Sequence, residues 1–276
     1  MELAGKVVVV TGASMGIGEA LARIFADHAA TVVLSSRDAG RAEAARQRIG
    51  HTERTLAMAC DVRRREDIER MVAATLERFA RIDVWINNAG HGLIDSIATL
   101  DLAACRSMFE TNLFGAIACT QAVVPVMKKQ GSGAIINISS VAGHIAVPYS
   151  GAYSATKFAL NAVGRTARIE LRGTGINVLT VCPGFIATDF AVNAVKGKER
   201  MRLGTAARKG ISAERVARAV LVAYRKGKRE VVVPWRDHIF IKLYQLFPRL
   251  LEHVMARLLR PADQVIAEAM ADSGSR

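Results

Sequence analysis

The chain opens with KVVVVTGASMGIG at residues 6–18, an aliphatic run followed at once by a glycine-rich turn. Four consecutive valines predict a buried strand, and residues 18–28 carry the pattern of a helix. Gly12, Gly16 and Gly18 let the backbone turn tightly and approach a pyrophosphate, whose charge a helix N-terminus stabilises. The spacing is GxxxGxG rather than GxGxxG, so the prediction depends on the strand-turn-helix setting. A purely structural glycine turn is the alternative.

Strands and helices alternate along the rest of the chain. Further strands are predicted at residues 31–35, 55–59, 84–86, 134–138, 177–181 and 230–233, and the helices between them include a long one over 102–129. This repetition predicts an α/β fold, a doubly wound (Rossmann) parallel sheet of about seven strands with helices on both faces. We expect a dinucleotide-binding domain over residues 1–235 that carries the active site, followed by a helical C-terminal extension over residues 236–276.

Composition and charge limit the classes of function. The 276 residues are 51% hydrophobic and include 4 cysteines, none of them in a CxxC pair. We expect a cytoplasmic protein with reduced thiols and, because the 6 histidines show no ligand spacing, no metal. Neither a signal peptide nor a membrane span is expected. The net charge of +13 is scattered and lacks interleaved aromatics, so we expect no nucleic-acid partner.

The predicted second strand ends in Ser35-Ser36-Arg37, where a dinucleotide-binding sheet meets the adenosine ribose. An acidic residue there favours NAD through the 2′-hydroxyl, whereas arginine accommodates the 2′-phosphate of NADP. No acid precedes Asp38, and Arg37 suits a bidentate, charge-assisted contact with phosphate. These residues predict NADP(H) as the cofactor. The alternative is that Arg37 is a solvated surface side chain.

Tyr153 and Lys157 lie four residues apart at the start of a predicted helix, so their side chains share one face. A free phenol titrates near pH ~10, and we expect the ammonium and the helix N-terminus to lower the pKa of Tyr153. Ser140 closes the predicted fifth strand thirteen residues earlier, and its hydroxyl suits a substrate oxygen. Asn88 and Asp61 follow other strands at the same carboxyl edge, where ligands bind in such sheets.

With the glycine turn, NNAG at residues 87–90, Ser140 and YSATK at residues 153–157 in this order, the chain resembles the short-chain dehydrogenase/reductase family over about residues 5–235. The resemblance implies that Ser140, Tyr153 and Lys157 are catalytic, and that Asn112 completes a water-linked proton relay. It also implies that Asp61 meets the adenine, Lys157 the nicotinamide ribose and Thr188 the carboxamide. The expected cofactor contacts are Gly12, Ser14, Gly16, Ile17, Gly18, Ser36, Arg37, Asp61, Val62, Asn88, Ala89, Gly90, Tyr153, Lys157, Pro183, Gly184 and Thr188.

The function implied is an NADP-dependent oxidoreductase that transfers a hydride between cofactor and a carbonyl or secondary alcohol of a small, lipophilic substrate. Tyr153 is the general acid/base. A basic segment over residues 187–210 keeps reduction of a 3-oxoacyl thioester open as an alternative. A catalytically silent nucleotide-binding scaffold is the alternative from another class. The intact set of Ser140, Tyr153, Lys157 and Asn112 argues against a silent protein.

The C-terminal extension departs from the family's commonest pattern. Apolar residues fall on one helical face and basic residues on another, and Pro248 predicts a division into two short helices. The apolar face contains Leu243, Phe247, Leu250, Val254 and Leu258. Three interpretations stay open: residues 237–260 make peripheral membrane contact, they form a hydrophobic portal for the substrate, or they pack on the core or on a second subunit. The resemblance also implies a homo-oligomer, dimer or tetramer, formed through the two long helices.

Overall fold

The computed structural model describes residues 3–186, 190, 194–197 and 210–258. Its main sheet consists of parallel strands in the order β3-β2-β1-β4-β6-β7-β9. They are β1 (Val7–Val10), β2 (Thr31–Ser36), β3 (Thr55–Ala59), β4 (Val84–Asn87), β6 (Gly133–Ile138), β7 (Ile176–Pro183) and β9 (Glu230–Val233). Two short strands, β5 (Leu93–Ile94) and β8 (Val195–Lys196), pair separately. The predicted seven-stranded, doubly wound α/β fold is confirmed.

Helices fill most connections between the strands of the main sheet, and two more follow β9. They are α1 (Gly16–Asp27), α2 (Ala39–Ile49), α3 (Arg65–Phe79), α4 (Leu102–Phe109), α5 (Gly115–Gln130), α6 (Gly151–Glu170), α7 (Ala213–Arg225), α8 (Trp235–Leu246) and α9 (Pro248–Leu258). Asp38 begins α2 by accepting a hydrogen bond from the Arg41 amide at 2.7 Å, and Ser212 caps α7 in the same way. Side-chain acceptors at these positions satisfy amides that have no partner within the helix.

The core lies on both faces of the sheet, which explains the uninterrupted valines of β1. Val8 and Val10 pack on one face with Phe25 of α1 and Val220 of α7. Val9 points to the opposite face and packs in the cluster that holds Met71 of α3. Successive side chains of a strand point to opposite faces, so a strand covered on both sides has no polar positions to spare.

The predicted single helix over 102–129 is wrong in its middle. Regular helix α4 ends at Phe109, a π-helical turn spans Glu110–Phe114, and α5 continues from Gly115 with Pro125 inside it. Thr111, Asn112 and Leu113 are all buried in this turn. The apolar periodicity of the sequence is compatible with one continuous helix, because a one-residue widening leaves no compositional trace.

The C-terminal extension forms two helices, as predicted, and Pro248 is the first residue of the second one. Ile241 of α8 is buried against Val141 and Ile145. By contrast, Trp235 and Leu246 are 72% and 70% exposed. No described helix is long and apolar enough to cross a membrane. Residues 259–260 lie outside the described part of the chain, and the division of the protein at residue 235 stays a prediction.

Candidate active site

The predicted site residues follow the carboxyl ends of the parallel strands, which meet at one edge of the sheet. The glycine turn follows β1, Arg37 follows β2, Asp61 follows β3, Asn88 follows β4, Ser140 follows β6 and Gly184 follows β7. Given the strand order, these residues line the edge from Asp61 near one end to Gly184 near the other. This edge is where open α/β sheets bind ligands.

The glycine turn packs directly against the NNAG segment. Gly12 has a φ of +63°, and a Cβ added to it would lie 2.7 Å from the Ala89 Cα. A Cβ on Gly18 would overlap the Asn88 Nδ2 and the Gly12 carbonyl oxygen. The Asn88 Nδ2 donates to the Thr11 and Gly12 carbonyl oxygens at 3.0 and 2.9 Å. The Asn88 side chain therefore fixes the turn itself, a positioning task that the sequence did not reveal.

Thr11 is a site residue that sequence reasoning missed. Its hydroxyl accepts hydrogen bonds from the amides of Asn88 and Ala89 at 3.0 and 3.1 Å, and it donates to the Ile86 carbonyl at 3.2 Å. The side chain is 1% exposed. The sequence did contain an indication of this role, because a polar residue directly after a run of buried valines must find hydrogen-bond partners inside the protein.

Other members of the expected set support this turn from its two sides. The Ser14 carbonyl accepts a hydrogen bond from Arg48 at 3.0 Å, and Gly16, with a φ of +59°, begins α1. Ile17 is partly buried against the core cluster beneath α1. On the opposite side, a Cβ on Gly90 would lie 3.0 Å from the Asn112 Oδ1. Glycine at these positions permits close approach of neighbouring segments.

The far end of the cleft carries charged side chains. Arg63 pairs with Asp61 at 2.5 Å, and this contact holds the pKa of the Asp61 carboxyl below its ordinary value. Arg37 is exposed, and its charge contributes to the same lowering. Burial lowers the pKa of His91, and the charges of Arg37 and Arg63 add to the effect. Both arginines therefore act electrostatically on groups at the sheet edge, where they create a positive field.

Ser36 and Val62 connect this end to the protein core. The Ser36 Oγ accepts a hydrogen bond from the Asp38 amide at 3.4 Å, and its side chain is 8% exposed. Val62 is buried against Gly115 at the start of α5, where a Cβ on the glycine would lie 2.7 Å from the valine Cγ2. The segment after β3 therefore packs tightly on α5.

Ser140 lies at the start of a short 3-10 turn, Val141–Gly143. Its Oγ accepts a hydrogen bond from the Ala142 amide at 3.1 Å and donates to the Pro183 carbonyl at 3.4 Å. Burial raises the pKa of Tyr153, and a side-chain hydrogen bond with Ser140 offsets part of that rise. The neighbouring Ser139 is buried and points its hydroxyl to the Lys157 carbonyl oxygen instead. Of the two serines, Ser140 is the one that acts on the tyrosine.

Tyr153 and Lys157 share one face of α6 as predicted, but their pKa values differ from the expectation. The Lys157 Nζ donates to the Ile138 carbonyl at 2.9 Å and lies 5.7 Å from the centroid of the tyrosine ring. Burial raises the pKa of Tyr153 to about 12 and lowers that of Lys157 to about 8. Within the protein alone, desolvation outweighs the predicted effect of the ammonium on the phenol.

Asn112 is buried at the centre of the π-helical turn. Its Oδ1 accepts a hydrogen bond from the His91 amide and its Nδ2 donates to the His91 carbonyl, both at 2.9 Å. The Nδ2 also lies 3.3 Å from the Thr156 Oγ1. These contacts join the segment after β4 to α6, so Asn112 connects the predicted cofactor residues with the predicted catalytic ones.

The segment after β7 contacts the C-terminal extension. The Gly184 amide donates to the Val233 carbonyl at 2.7 Å, and a Cβ on Gly184 would overlap the carboxylate of Asp237 in α8. Burial raises the pKa of Asp237. Sequence reasoning missed Asp237, which belongs to no motif. Thr188 and most of the basic segment lie outside the described residues.

The family follows from a direct comparison of sequences. A family model described as short chain dehydrogenase matches residues 6–199. The chain belongs to the short-chain dehydrogenase/reductase (SDR) family. It is thus an oxidoreductase that acts on small molecules, with a fold that binds a nicotinamide dinucleotide.

Three similar proteins illustrate the range of this SDR's relatives. A ketoacyl reductase, HetN, of Nostoc sp. is 37% identical over 84% of this chain and 79% of its own length. A solved metagenomic short-chain oxidoreductase in complex with NADP is 32% identical with a TM-score of 0.70, covering 84% of this chain and 98% of that one. A family member from Burkholderia phymatum, solved with NAD, is 24% identical with a TM-score of 0.83 and covers 91% of this chain and 96% of that one.

Proposed function

We propose that this SDR transfers a hydride between NADP(H) and a carbonyl or secondary alcohol of a small lipophilic substrate, with Tyr153 as general acid/base. The observation that carries the proposal is the convergence of a partly buried tyrosine, a buried lysine and a serine hydroxyl at the carboxyl edge of the sheet. A protein that only binds nucleotides has no chemical need for this set.

The residues at the edge fit a dinucleotide. Gly12 and Gly18 leave no room for a Cβ, and the turn they form leads into the N-terminus of α1, which favours a pyrophosphate. When bound, the cofactor supplies the hydride or accepts it. In our proposal Asp61 meets the adenine, Lys157 the nicotinamide ribose and Thr188 the carboxamide, as in the family that the chain resembles.

The protein's own part in the reaction is proton transfer. Ser140 holds the substrate oxygen, and Tyr153 donates its proton to that oxygen during reduction or takes it back during oxidation. With a pKa of about 12, Tyr153 is protonated at neutral pH and is ready to donate. For oxidation, the ammonium of Lys157 and the N-terminus of α6 stabilise the phenolate. Asn112 completes the relay that returns a proton to this tyrosine.

A lipophilic substrate suits the surroundings of the tyrosine. Its ring packs against the small apolar cluster that contains Leu93 and Met108. Phe190 lies at a ring-centroid distance of 5.5 Å on another side. A substrate that approaches the phenol therefore meets aliphatic and aromatic side chains, which favour apolar over charged molecules.

Replacement of Tyr153 tests the proposed chemistry. NADPH oxidation should be screened with ketones, aldehydes, steroids and acyl thioesters, using wild type, Tyr153→Phe and the control Tyr244→Phe. We expect Tyr153→Phe to lower turnover by roughly 10²–10⁴-fold, the contribution of a positioned general acid, with cofactor binding nearly unchanged. The Tyr244 hydroxyl hydrogen-bonds Glu252 in the tail and the Ala146 backbone rather than Ser140 or Tyr153, so Tyr244→Phe should keep turnover. Retained turnover in Tyr153→Phe would refute the assignment.

The preference for NADP rests on Arg37. Its exposed guanidinium at the end of β2 suits the 2′-phosphate, and no acidic side chain precedes Asp38 there. Titration with NADPH and NADH should show tighter NADPH binding. Arg37→Ala should weaken NADPH binding about tenfold and leave NADH binding almost unchanged, as expected for one charge-assisted phosphate contact. Tighter NADH binding by the wild type would overturn the preference.

Reduction of a 3-oxoacyl thioester is the second candidate. It is favoured by the similarity to the ketoacyl reductase of Nostoc sp. and by the basic residues between 187 and 210, such as Lys196. The thioester arm of the substrate screen decides between the two candidates. Turnover of acyl thioesters well above that of simple ketones would select this function, and the reverse would select the first.

We also propose that the protein is a homo-oligomer through the long helices. Phe114 at the end of the π-helical turn and Phe158 and Ile169 on α6 are 52%, 45% and 74% exposed. Large apolar side chains so exposed on neighbouring elements are typical of a protein interface. Sedimentation velocity should give a dimer or a tetramer, and a monomer at micromolar concentration would contradict this proposal.

For the tail we propose peripheral membrane contact. Leu246, Phe247 and Leu250 are 70%, 56% and 61% exposed, and Lys242 and Arg249 lie nearby in the sequence. An apolar face flanked by basic residues suits the surface of an anionic bilayer. The full-length protein should co-sediment with anionic vesicles, and Leu246→Ser with Leu250→Ser should reduce the bound fraction. Equal, negligible binding by both proteins would refute the proposal.

A further inference from the structure

Three side chains with different metal-binding atoms meet behind the catalytic serine. His144 directly follows the 3-10 turn that Ser140 begins, Cys182 lies in β7 and Glu230 begins β9. Their ligand atoms, an imidazole nitrogen, a thiol sulfur and a carboxylate oxygen, all lie within 4.8 Å of one another. Sequence spacing did not predict this cluster, because the three residues come from segments far apart in the chain.

The contacts converge on a single atom. The His144 Nε2 lies 3.4 Å from the Cys182 Sγ and 3.4 Å from the Glu230 Oε1. It also lies 3.3 Å from the Asn161 Nδ2. One ring nitrogen either donates one proton or accepts at one lone pair. It cannot satisfy a thiol, a carboxylate and an amide together, whichever tautomer is present, so the thiol turns to the Asn161 Oδ1 at a long 4.0 Å and the amide to the Gly143 carbonyl at 2.9 Å.

A metal ion would resolve this conflict. Zinc binds histidine nitrogen at about 2.0–2.1 Å and cysteine sulfur at about 2.3 Å, so tetrahedral geometry places these ligand atoms roughly 3.6 Å apart. Nitrogen and oxygen ligands lie about 3.3 Å apart in the same geometry. The observed separations from the His144 Nε2 are close to both values.

We propose that His144, Cys182 and Glu230 bind a divalent metal ion of the zinc class, with the fourth position open to water. Thiolate and carboxylate together balance the charge of the ion, and a site of one sulfur, one nitrogen and one oxygen ligand suits a borderline-soft metal. On binding, the Cys182 S–H bond breaks, the sulfur–metal bond forms and the proton leaves to solvent. The proposal does not depend on the substrate or the cofactor preference.

Neighbouring side chains support the ligands. Arg165 donates to the Glu230 Oε2 at 3.2 Å, which leaves the Oε1 directed at His144. The Asn161 Nδ2 donates to the Gly143 carbonyl at 2.9 Å and anchors the turn that precedes the histidine. Outer contacts of this kind orient metal ligands.

Both negative and positive side chains surround the cluster and act on its affinity for a metal ion. Burial, together with the charge of Glu230, raises the pKa of the Cys182 thiol to about 12, so the free thiol is protonated. Arg165 on α6 and His238 and Lys242 on α8 add positive charge next to His144, and Lys157 adds it next to Cys182. These cations repel a metal ion and weaken its binding. We expect zinc to bind more tightly than harder ions, because the strong bond between zinc and the Cys182 thiolate offsets this repulsion.

The role of the ion would be structural. Cys182 precedes Pro183, whose carbonyl accepts the hydrogen bond from Ser140, and His144 closes the turn that Ser140 begins. Strands β7 and β9 already pair in the main sheet, and an ion would add a link from both strands to this turn, whose His144 otherwise meets Cys182 and Glu230 at 3.4 Å. Metal binding would therefore stabilise the fold around Ser140 without touching the substrate.

Cobalt spectroscopy on the full-length, tag-free protein tests the site. After treatment with a chelator, one equivalent of Co²⁺ should give a thiolate-to-cobalt charge-transfer band, and Zn²⁺ should abolish the band by displacement. Cys182→Ser should lose the band. Cys105→Ser is the matched control, because that thiol lies in α4 outside the cluster and its loss should leave the band unchanged.

A second pair of variants keeps the test decisive if Cys182→Ser does not fold. His144→Gln and Glu230→Gln should each weaken Co²⁺ binding by at least the ~10–100-fold that the loss of an outer-shell partner costs. Zn²⁺ should raise the Tm of the wild type and not that of His144→Gln. The proposal is overturned if folded wild type gives no charge-transfer band, if the band persists in Cys182→Ser, or if His144→Gln binds Co²⁺ as tightly as the wild type.

Discussion

The glycine turn and the Ser140–Tyr153–Lys157 group lie on the same edge of the sheet but are held in different ways. Around the turn, hydrogen bonds from the Asn88 amide and to the Thr11 hydroxyl are 2.9–3.1 Å long, and glycines bring backbone against backbone. In the Ser140–Tyr153–Lys157 group, the Lys157 Nζ donates to Ile138 at 2.9 Å, but Ser140 reaches Pro183 only at 3.4 Å and the Nζ lies 5.7 Å from the tyrosine ring. Close packing fixes the shape of the turn, whereas burial shifts the pKa values of Tyr153 and Lys157.

Among the tests of this contrast, the largest expected effect is the loss of NADPH affinity when the packing of the glycine turn is disrupted. Gly18→Ala introduces a methyl group that overlaps the Asn88 side chain and the Gly12 carbonyl and lies 2.9 Å from the Ala13 Cα. We expect NADPH binding to weaken about a hundredfold, because the backbone can no longer approach a pyrophosphate. Isothermal titration of both proteins with NADPH measures the change.

Gly40→Ala is the matched control, since Gly40 also lies at the start of a helix, α2. Its added methyl group meets only the exposed carboxylate of Asp38, at 3.2 Å. The substitution should leave NADPH affinity unchanged, because Gly40 lies outside the glycine turn. Equal affinities for Gly18→Ala and Gly40→Ala would mean that the close packing of the turn does not control cofactor binding.

A second experiment compares two buried hydroxyls. Thr11→Val leaves the amides of Asn88 and Ala89 without their acceptor, and we expect a loss of about 2 kcal/mol in the free energy of unfolding. Thr180 in β7 is fully buried, and its hydroxyl has no hydrogen-bond partner among the described residues. Thr180→Val should therefore be neutral or slightly stabilising. Urea unfolding of the two variants measures both values, and similar losses would contradict the distinction.

The smallest expected effect is a pH-dependent change in the free energy of unfolding when Lys157 is replaced. The pKa of Lys157 is lowered from 10.5 to about 8 in the folded protein. Between these two pH values the unfolded chain holds a proton that the folded protein has lost, so wild-type stability rises with pH through this window. Lys157→Met removes the buried ammonium. It should be about 1–2 kcal/mol more stable than wild type near pH 7, after allowance for the lost hydrogen bond to Ile138.

The advantage of Lys157→Met should shrink as the pH rises above about 8, because wild type then folds with a neutral amine. Denaturant unfolding of both proteins between about pH 6.5 and 9.5 follows this trend. Tyr153 does not disturb the measurement, since its pKa is raised and its contribution changes only above the ordinary phenol value of 10. A constant difference across the range would show that burial does not shift the titration of this lysine.

Much of the fold was predictable because its elements have a local signature. Aliphatic runs marked each strand of the main sheet, and Pro248 marked the start of α9. The pair β5 and β8 was not predictable, since two residues each are too short for any periodicity. The π-helical turn was missed because the sequence on both sides of it suits a regular helix.

The site was predictable to the extent that its residues belong to short motifs. Glycine spacing and the YSATK segment pointed to the sheet edge, but the pKa of Tyr153 depends on how deeply the fold buries it, which no spacing reveals. The meeting of His144 with Cys182 was also invisible, since it depends on the register between β7 and the turn after β6. Only 7% of the His144 side chain is exposed.

The π-helical turn at Glu110–Phe114 changes the direction in which side chains point around the helix axis between α4 and α5. Each residue of a regular helix rotates the side-chain direction by about 100°. Deleting one residue to make this turn regular would therefore rotate the side chains of α4 relative to those of α5 by about that angle. Leu113 and Cys119 could then not stay buried while Met108 also did. The widened turn therefore lets α4 and α5 each direct their own buried face toward the core, and Asn112 lies at the point where the direction of that face changes.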